Sequence, residues 1–239
     1  MANALCLHGW GYTKEVFSFM SLLEHFNQVI SPCLYQIADN SIDHRLNNMS
    51  EQLKVSVSEN TVLFGWSLGG LLALNMLGKT NNVKALVLIA SSPVFVNKKG
   101  WQASIDLKEF NKLQDLLNKK PDQAIKQFNL LSMLGENKVK ESAKQSLNLT
   151  VDKKYKPILQ TWLLELQQAD YRDILSSISL PVLMLFGEND ILIKPETTTL
   201  INNRSIETHV IKNCGHMPFI NHSSEVVNIV NKFIERHVA

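Results

Sequence analysis

The chain has 239 residues, 45% of them hydrophobic and 19% charged, with a net charge of +2. That length suits one α/β domain with or without an insertion, and the composition is that of an ordinary globular protein, with no argument for nucleic acid. No apolar run approaches the ~20 residues that span a bilayer, the opening residues carry no signal-peptide pattern, and three scattered cysteines (Cys6, Cys33, Cys214) indicate neither a disulfide framework nor a zinc site. A reduced, cytoplasmic protein away from membranes is expected.

Taken in order, residues 3–7 read as a buried strand, followed by His8-Gly9-Trp10-Gly11, whose glycines allow close approach of a ligand. Thr13 is a candidate N-cap for a helix to about Phe26, with Val16, Phe17, Met20 and Leu23 on one face. Residues 28–30 make a second strand, ended by Ser31-Pro32. Residues 35–48 are polar and turn-rich, and a modest helix is expected over 45–57. A third strand starts at Thr61 and meets Gly65-Trp66-Ser67-Leu68-Gly69, after which a helix runs to Leu77. Residues 83–90 are nearly all apolar, as in a central parallel strand buried on both faces.

Beyond Pro93 the character changes. Residues 97–156 hold thirteen lysines, no arginine and seven acids, a net +6 that leaves −4 for the rest of the chain. Helical apolar spacing joins Phe110, Leu113, Leu116 and Leu117, and again Ile125, Phe128, Leu131 and Leu134, with Pro121-Asp122 between them. A third helix is expected over 155–166. The α/β alternation resumes with a strand over 182–186 and the loop Gly187-Glu188-Asn189-Asp190. A short helix over 195–201, a strand over 208–211, the loop Asn213-Cys214-Gly215-His216-Met217-Pro218 and a final helix over 223–237 complete the chain. Strands alternating with helices imply a mostly parallel central sheet with helices on both faces. The expected division is a core of 1–93 and 180–239, with a helical cap inserted over 94–179.

In such sheets, ligands bind beyond the C-terminal strand ends. Ser67, Asp190, His216 and the His8–Trp10 loop each follow a predicted strand, so they converge on one rim. Gly65 to Gly69 is a G-x-S-x-G elbow, in which a strained turn lifts the serine to the start of a helix. A serine hydroxyl needs a base to take its proton. His216 is the candidate base, and Asp190 the acid that would orient it. Glu188 competes with Asp190, and His8, His209 and His222 compete with His216. His209 lies within a strand pattern, His222 can cap the last helix, and His8 can brace its own loop. The backbone N–H groups of Leu68 and Trp10 are candidate oxyanion donors. Cys214 lies near His216, but Ser67 has the stronger context. No cofactor and no metal is called for. A non-catalytic binding protein on the same fold is the competing class, and the full set of base, acid and oxyanion elements argues against it.

Together, His8-Gly9-Trp10-Gly11, Gly65-Trp66-Ser67-Leu68-Gly69-Gly70, Ala90-Ser91-Ser92-Pro93, Phe186-Gly187 with Asp190, and Gly215-His216-Met217-Pro218-Phe219 resemble the BioH family. Its members are pimeloyl-[acyl-carrier protein] methyl ester esterases of bacterial biotin synthesis, with an α/β-hydrolase fold and a helical cap. The resemblance covers nearly the whole chain. It implies a serine carboxylesterase, with Trp10, Leu68 and the cap residues Phe128, Asn129, Leu130, Leu131 and Ser132 as oxyanion or substrate contacts. Asn129 and Ser132 depart from the family's Phe-Leu-Ala-Leu-Gln-type stretch, and Pro32-Cys33-Leu34 stands where the family has an Asp-x-Pro-Gly loop. It also implies an acyl-carrier protein partner, docked on cap lysines such as Lys140 and Lys144, where the family has arginines. Lysine keeps the charge without the bidentate fork. A monomer is expected. The competing enzymatic reading is a broad-specificity short-chain esterase, thioesterase or C–C hydrolase of the same fold, since fold alone does not set substrate.

Overall fold

A computed structural model describes residues 1–23, 26–41, 43–136, 141, 144 and 146–238, and the features below are those of these residues. Six strands form one all-parallel sheet: β1 (Ala2–Leu7), β2 (Phe26–Ile30), β3 (Thr61–Trp66), β4 (Val83–Ile89), β5 (Val182–Gly187) and β6 (Ile206–Ile211). The spatial order is β2-β1-β3-β4-β5-β6. The chain therefore steps outward from β1 to β2, then reverses to β3. The crevice at the carboxyl ends of β1 and β3 is the topological switch point, where open α/β sheets take their ligands. Every residue of β3 and β5 is buried, which is why both read as unbroken apolar runs. The edge strands β2 and β6 are partly exposed and carry polar residues.

Two expectations about local structure need correction. The segment after Thr13 is a 3₁₀ helix, Lys14–Leu22, and Phe26 opens β2 rather than closing a helix. Leu23 is already extended, and Phe26 pairs with Ala2 of β1, so strand pairing overrides the helical spacing. Thr13 stands at the cap position, but its hydroxyl donates to the Leu149 carbonyl instead. The turn-rich stretch also contains a helix, α1 (Leu34–Asp39), held by the burial of Leu34, Tyr35 and Ala38. Six residues give too little periodicity to detect.

Helix α2 (Leu46–Leu53) packs on α3 (Leu68–Leu77), which follows β3 directly. Between β4 and β5 lie α4 (Leu107–Lys119), α5 (Pro121–Met133), α6 (Lys156–Gln168) and α7 (Arg172–Ser177). Asp106 caps α4 through the Lys108 amide, and Pro121 opens α5, where its missing N–H costs nothing. Helix α6 is fastened by polar bonds to the loop after β1 and to the start of α2. The Trp10 indole donates to Leu159 O, the Trp162 indole donates to His44 O, and Glu165 accepts from the Leu46 amide. The chain closes with α8 (Thr197–Leu200), α9 (Pro218–Asn221) and α10 (Ser223–His237). Val226, Val230, Phe233 and Ile234 of α10 are buried. No helix among the described residues is long and apolar enough to cross a membrane.

Candidate active site

Ser67 sits between β3 and α3 with φ 53° and ψ −122°, a conformation that an L-residue adopts only under constraint. The constraint comes from close packing. A Cβ on Gly69 would lie 1.9 Å from the Leu7 carbonyl oxygen, and one on Gly65 would lie 2.4 Å from the Gly70 Cα. Only glycine lets α3 run this close to β1 and β3. The bend is pinned by Ser67 N–H to Ile89 O at 3.0 Å, and by Gly70 N–H and the Ser91 hydroxyl, both donating to Ser67 O. The hydroxyl of Ser67 is left at the N-terminus of α3, where the helix presents free N–H groups and partial positive charge.

The sheet brings three distant residues into line. His216 Nε2 lies 2.9 Å from Ser67 Oγ, and His216 Nδ1 lies 2.8 Å from Asp190 Oδ2. All three are nearly fully buried. A carboxylate can only accept, so Nδ1 carries the imidazole proton and Nε2 is free to accept from Ser67. The second oxygen of Asp190 accepts from the Leu192 and Ile193 amides, which fixes the carboxylate's rotation. Glu188 is turned elsewhere and accepts from the Asn213 amide. His209 is exposed on β6. His222 precedes α10 without a side-chain cap bond and lies 3.6 Å from Glu136.

His8 braces its own loop. Its Nε2 accepts from the Leu34 amide, so Nδ1 donates to Gly9 O. Burial pushes its pKa down to about 4, so it stays neutral at ordinary pH. Gly11, at φ +76°, donates its N–H to the Tyr35 hydroxyl. Among the described residues, neither the Trp10 nor the Leu68 amide N–H has a hydrogen-bond partner. Both flank the rim at the switch point.

Next to Ser67 and His216 is a small apolar cavity of about 20 Å³, walled by Phe95, Ile105, Phe110, Leu113, Phe128, Leu163, Leu166 and Leu192. Five of these residues (Ile105, Phe110, Leu113, Phe128, Leu192) also line a cavity of about 300 Å³, whose rim carries Asp106, Glu109, Lys112, Gln127 and Lys194. The inner cavity at the serine and the larger outer one thus share apolar walls. Phe128 lines both cavities and packs nearly perpendicular to the Trp10 ring, with centroids 4.9 Å apart, while Leu131 lines the outer one. The other cap residues singled out from the sequence line neither. Asn129 donates to the Tyr12 and Ser146 hydroxyls, Leu130 is 53% exposed, and the Ser132 hydroxyl donates to Phe128 O within its own helix. Lys144 is exposed, and Lys140 lies outside the described residues.

Two contributors are not visible in the sequence. The Trp66 indole donates to His216 O at 2.9 Å, from 150 residues away in the chain. Its place inside the G-x-S-x-G motif is a signal, but its long-range partner is not. Glu136 is buried and accepts from the Gly215 amide at 2.8 Å. Glu136, Cys214 and His222 also form the one group of potential metal ligands found among the described residues, with ligand atoms within 4.8 Å of one another. Both carboxylate oxygens of Glu136 already accept N–H donors. Burial, with the Glu136 and Asp190 carboxylates close by, pushes the Cys214 thiol far above its usual range, so it is no nucleophile.

Comparison with known proteins places the chain in a family. A profile described as the alpha/beta hydrolase fold matches residues 42–223. The pimeloyl-[acyl-carrier protein] methyl ester esterase of Pseudoalteromonas atlantica is 28% identical over 234 residues, covering 93% of this chain and 90% of that protein. The enzyme of the same name from Serratia marcescens is 28% identical over 243 residues, covering 98% and 94%. Among solved structures, an esterase from Exiguobacterium antarcticum superposes with a TM-score of 0.83 at 20% identity, covering 98% of this chain and 92% of that one. The chain belongs to the alpha/beta hydrolase fold family.

Proposed function

We propose that this chain is a serine carboxylesterase that hydrolyses the methyl ester of pimeloyl-[acyl-carrier protein], releasing methanol and the free carboxylate, as the names of its full-length relatives suggest. The observation that carries the chemistry is the hydrogen-bonded line from Ser67 through His216 to Asp190, at 2.9 and 2.8 Å. As Ser67 Oγ attacks the ester carbon, His216 Nε2 takes its proton, and Asp190 steadies the imidazolium that forms. The oxyanion accepts from the unpartnered N–H groups of Leu68 and Trp10, each worth about 3 kcal/mol of barrier in related sites. The imidazolium then protonates the departing methoxide. Water, activated by the same imidazole, releases the acid from Ser67 and restores the hydroxyl.

In this reading, residues 94–179 act as a cap over the rim. The outer cavity of about 300 Å³ would take the chain's methylenes, with Phe128 and Leu131 against them. The thirteen lysines of residues 97–156 draw an acidic carrier to the mouth, with Lys140 and Lys144 among the docking groups. The enzyme would work in the cytoplasm, where its carrier-bound substrate is held.

The test is methanol release from methyl pimeloyl carrier protein against free methyl pimelate, with p-nitrophenyl acetate as a carrier-free reference. The expected result is a higher kcat/KM for the carrier-bound ester at low salt, an advantage that shrinks as salt rises. Ser67→Ala should lose both ester activities. Equal kcat/KM with and without the carrier at every salt concentration would leave a general short-chain esterase as the correct reading. Retained activity in Ser67→Ala would remove the serine mechanism itself.

A further inference from the structure

The end of α5 does not simply return to the surface. Residues 132–136 lie against the loop that carries Asp190 and the loop that carries His216, and bond to both. Gly135, at φ +95°, presents its carbonyl to Asn189 Nδ2 at 3.0 Å. A Cβ on Gly135 would lie 2.4 Å from Asn189 Cβ, and one on Gly215 would lie 2.4 Å from Leu134 O. Ser132 O accepts from the His216 amide at 3.1 Å, and Glu136 Oε1 accepts from the Gly215 amide at 2.8 Å. Two consecutive amides of the histidine loop are therefore held by residues four apart, at and just beyond the end of α5.

Glu136 is the unusual member. Its side chain is only 1% exposed, and burying a carboxylate costs several kcal/mol unless donors surround it. Its donors are the Gly215 amide, Asn221 Nδ2 at 2.7 Å and the Cys214 thiol. None is a cation, and the imidazole of His222 stands off at 3.6 Å. A buried acid with neutral donors is poorly explained as a stabilising ion pair. It is better explained by where it pulls: on the residue directly before His216.

We infer that Glu136 is a positioning residue for His216, holding the Gly215–His216 peptide so that the imidazole stays within proton-transfer reach of Ser67. The inference rests on the serine-hydrolase reading of Ser67. Glu136 lines neither cavity, so it is placed to act through the Gly215–His216 peptide. Its loss frees the Gly215 amide and lets the loop drift, and a displacement of about 1 Å costs up to about 10²-fold in rate.

The experiment uses p-nitrophenyl acetate with the full-length protein, and counts functional sites by titration with a phosphonate ester. Glu136→Ala should lower kcat per titrated site about 10–100-fold with KM within about 2-fold. Glu136→Gln keeps an oxygen that can accept from Gly215 and should recover kcat to within about 5-fold of the parent protein. A kcat per site within about 2-fold of the parent in Glu136→Ala overturns the inference, since a fold defect alone lowers the number of titrated sites and not their turnover. A Gln variant as slow as the Ala variant also overturns it. Should Glu136→Ala not fold, Glu136→Asp replaces it. That variant keeps the charge and shortens the reach, the same loss confined to kcat is expected, and an unchanged kcat overturns the inference. Ser67→Ala in the same assay separates the two readings: if it stays active, the serine mechanism has failed and the Glu136 result does not bear on it.

Discussion

Ser67 and His216 face each other across 2.9 Å, yet the protein holds them in different ways. The serine is held by its own neighbourhood. Five consecutive residues set the bend, and the core strands β1, β3 and β4 close around it. The histidine sits in a loop whose backbone is held from elsewhere, by Trp66 in the elbow and by Ser132 and Glu136 at the end of α5. Glycine packing against β1, with bonds to Ile89 and Ser91, strains the nucleophile, and bonds from Trp66, Ser132 and Glu136 supply the aim of the base.

The largest expected effect falls on the histidine side. In Asp190→Asn the Leu192 and Ile193 amides still claim an oxygen, so the new NH₂ group turns toward His216 Nδ1. The imidazole must then carry its proton on Nε2, where it cannot receive one from Ser67. The expected loss in kcat is about 10⁴-fold with the fold intact, as in other triads of this geometry. Wild-type turnover in this variant would mean that Asp190 does not set the tautomer.

A paired glycine experiment sharpens the contrast in stability. In Gly69→Ala the new methyl meets the Leu7 carbonyl at 1.9 Å, inside the central sheet, and neither backbone can yield. Thermal unfolding should show a loss of about 3 kcal/mol or more. In Gly215→Ala the obstacle is the Leu134 carbonyl at 2.4 Å, on a segment that connects elements rather than forming one. A smaller drop in Tm, with a clear fall in kcat, is expected there. Equal Tm losses would erase the distinction between the two sides.

The smallest effect concerns the second buried histidine, His8, which is held by Gly9 O and the Leu34 amide. Its folded pKa of about 4 lies below the ordinary value of 6.5. Between those values the unfolded chain takes up a proton that the native form refuses, so stability falls as pH drops through that window. The contribution is about 2 kcal/mol between pH 7 and pH 5. Urea midpoints at the two pH values should differ less in His8→Gln than in the parent protein. An unchanged difference would show that the imidazole is not excluded from protonation.

The same divide separates what the amino-acid sequence discloses from what it hides. The strand, turn and helix around Ser67 are legible because glycine spacing and apolar runs are local signals. The final helix is legible for the same reason, since fifteen residues give several turns of periodicity. Asp190 and His216 can be placed after strands by chain order, which gives them a shared rim. What holds the histidine cannot be read, because Glu136 lies 79 residues from Gly215 and nothing in its local sequence marks a buried acid. The contacts of Asn129 and Leu130 are equally hidden. Which side of α5 faces the cavity depends on how the helix docks, and Gln127, Phe128 and Leu131 hold that side.

The attachment of residues 132–136 to the two loops bears on how such enzymes are rebuilt. An insertion that only shaded the pocket could be cut out at its hinges and replaced by a relative's to change substrate preference. Here the excised piece would take with it the carbonyl and carboxylate that seat the base. A chimera of this protein should therefore place its splice points after residue 136, or carry the matching Gly215 loop along with the graft.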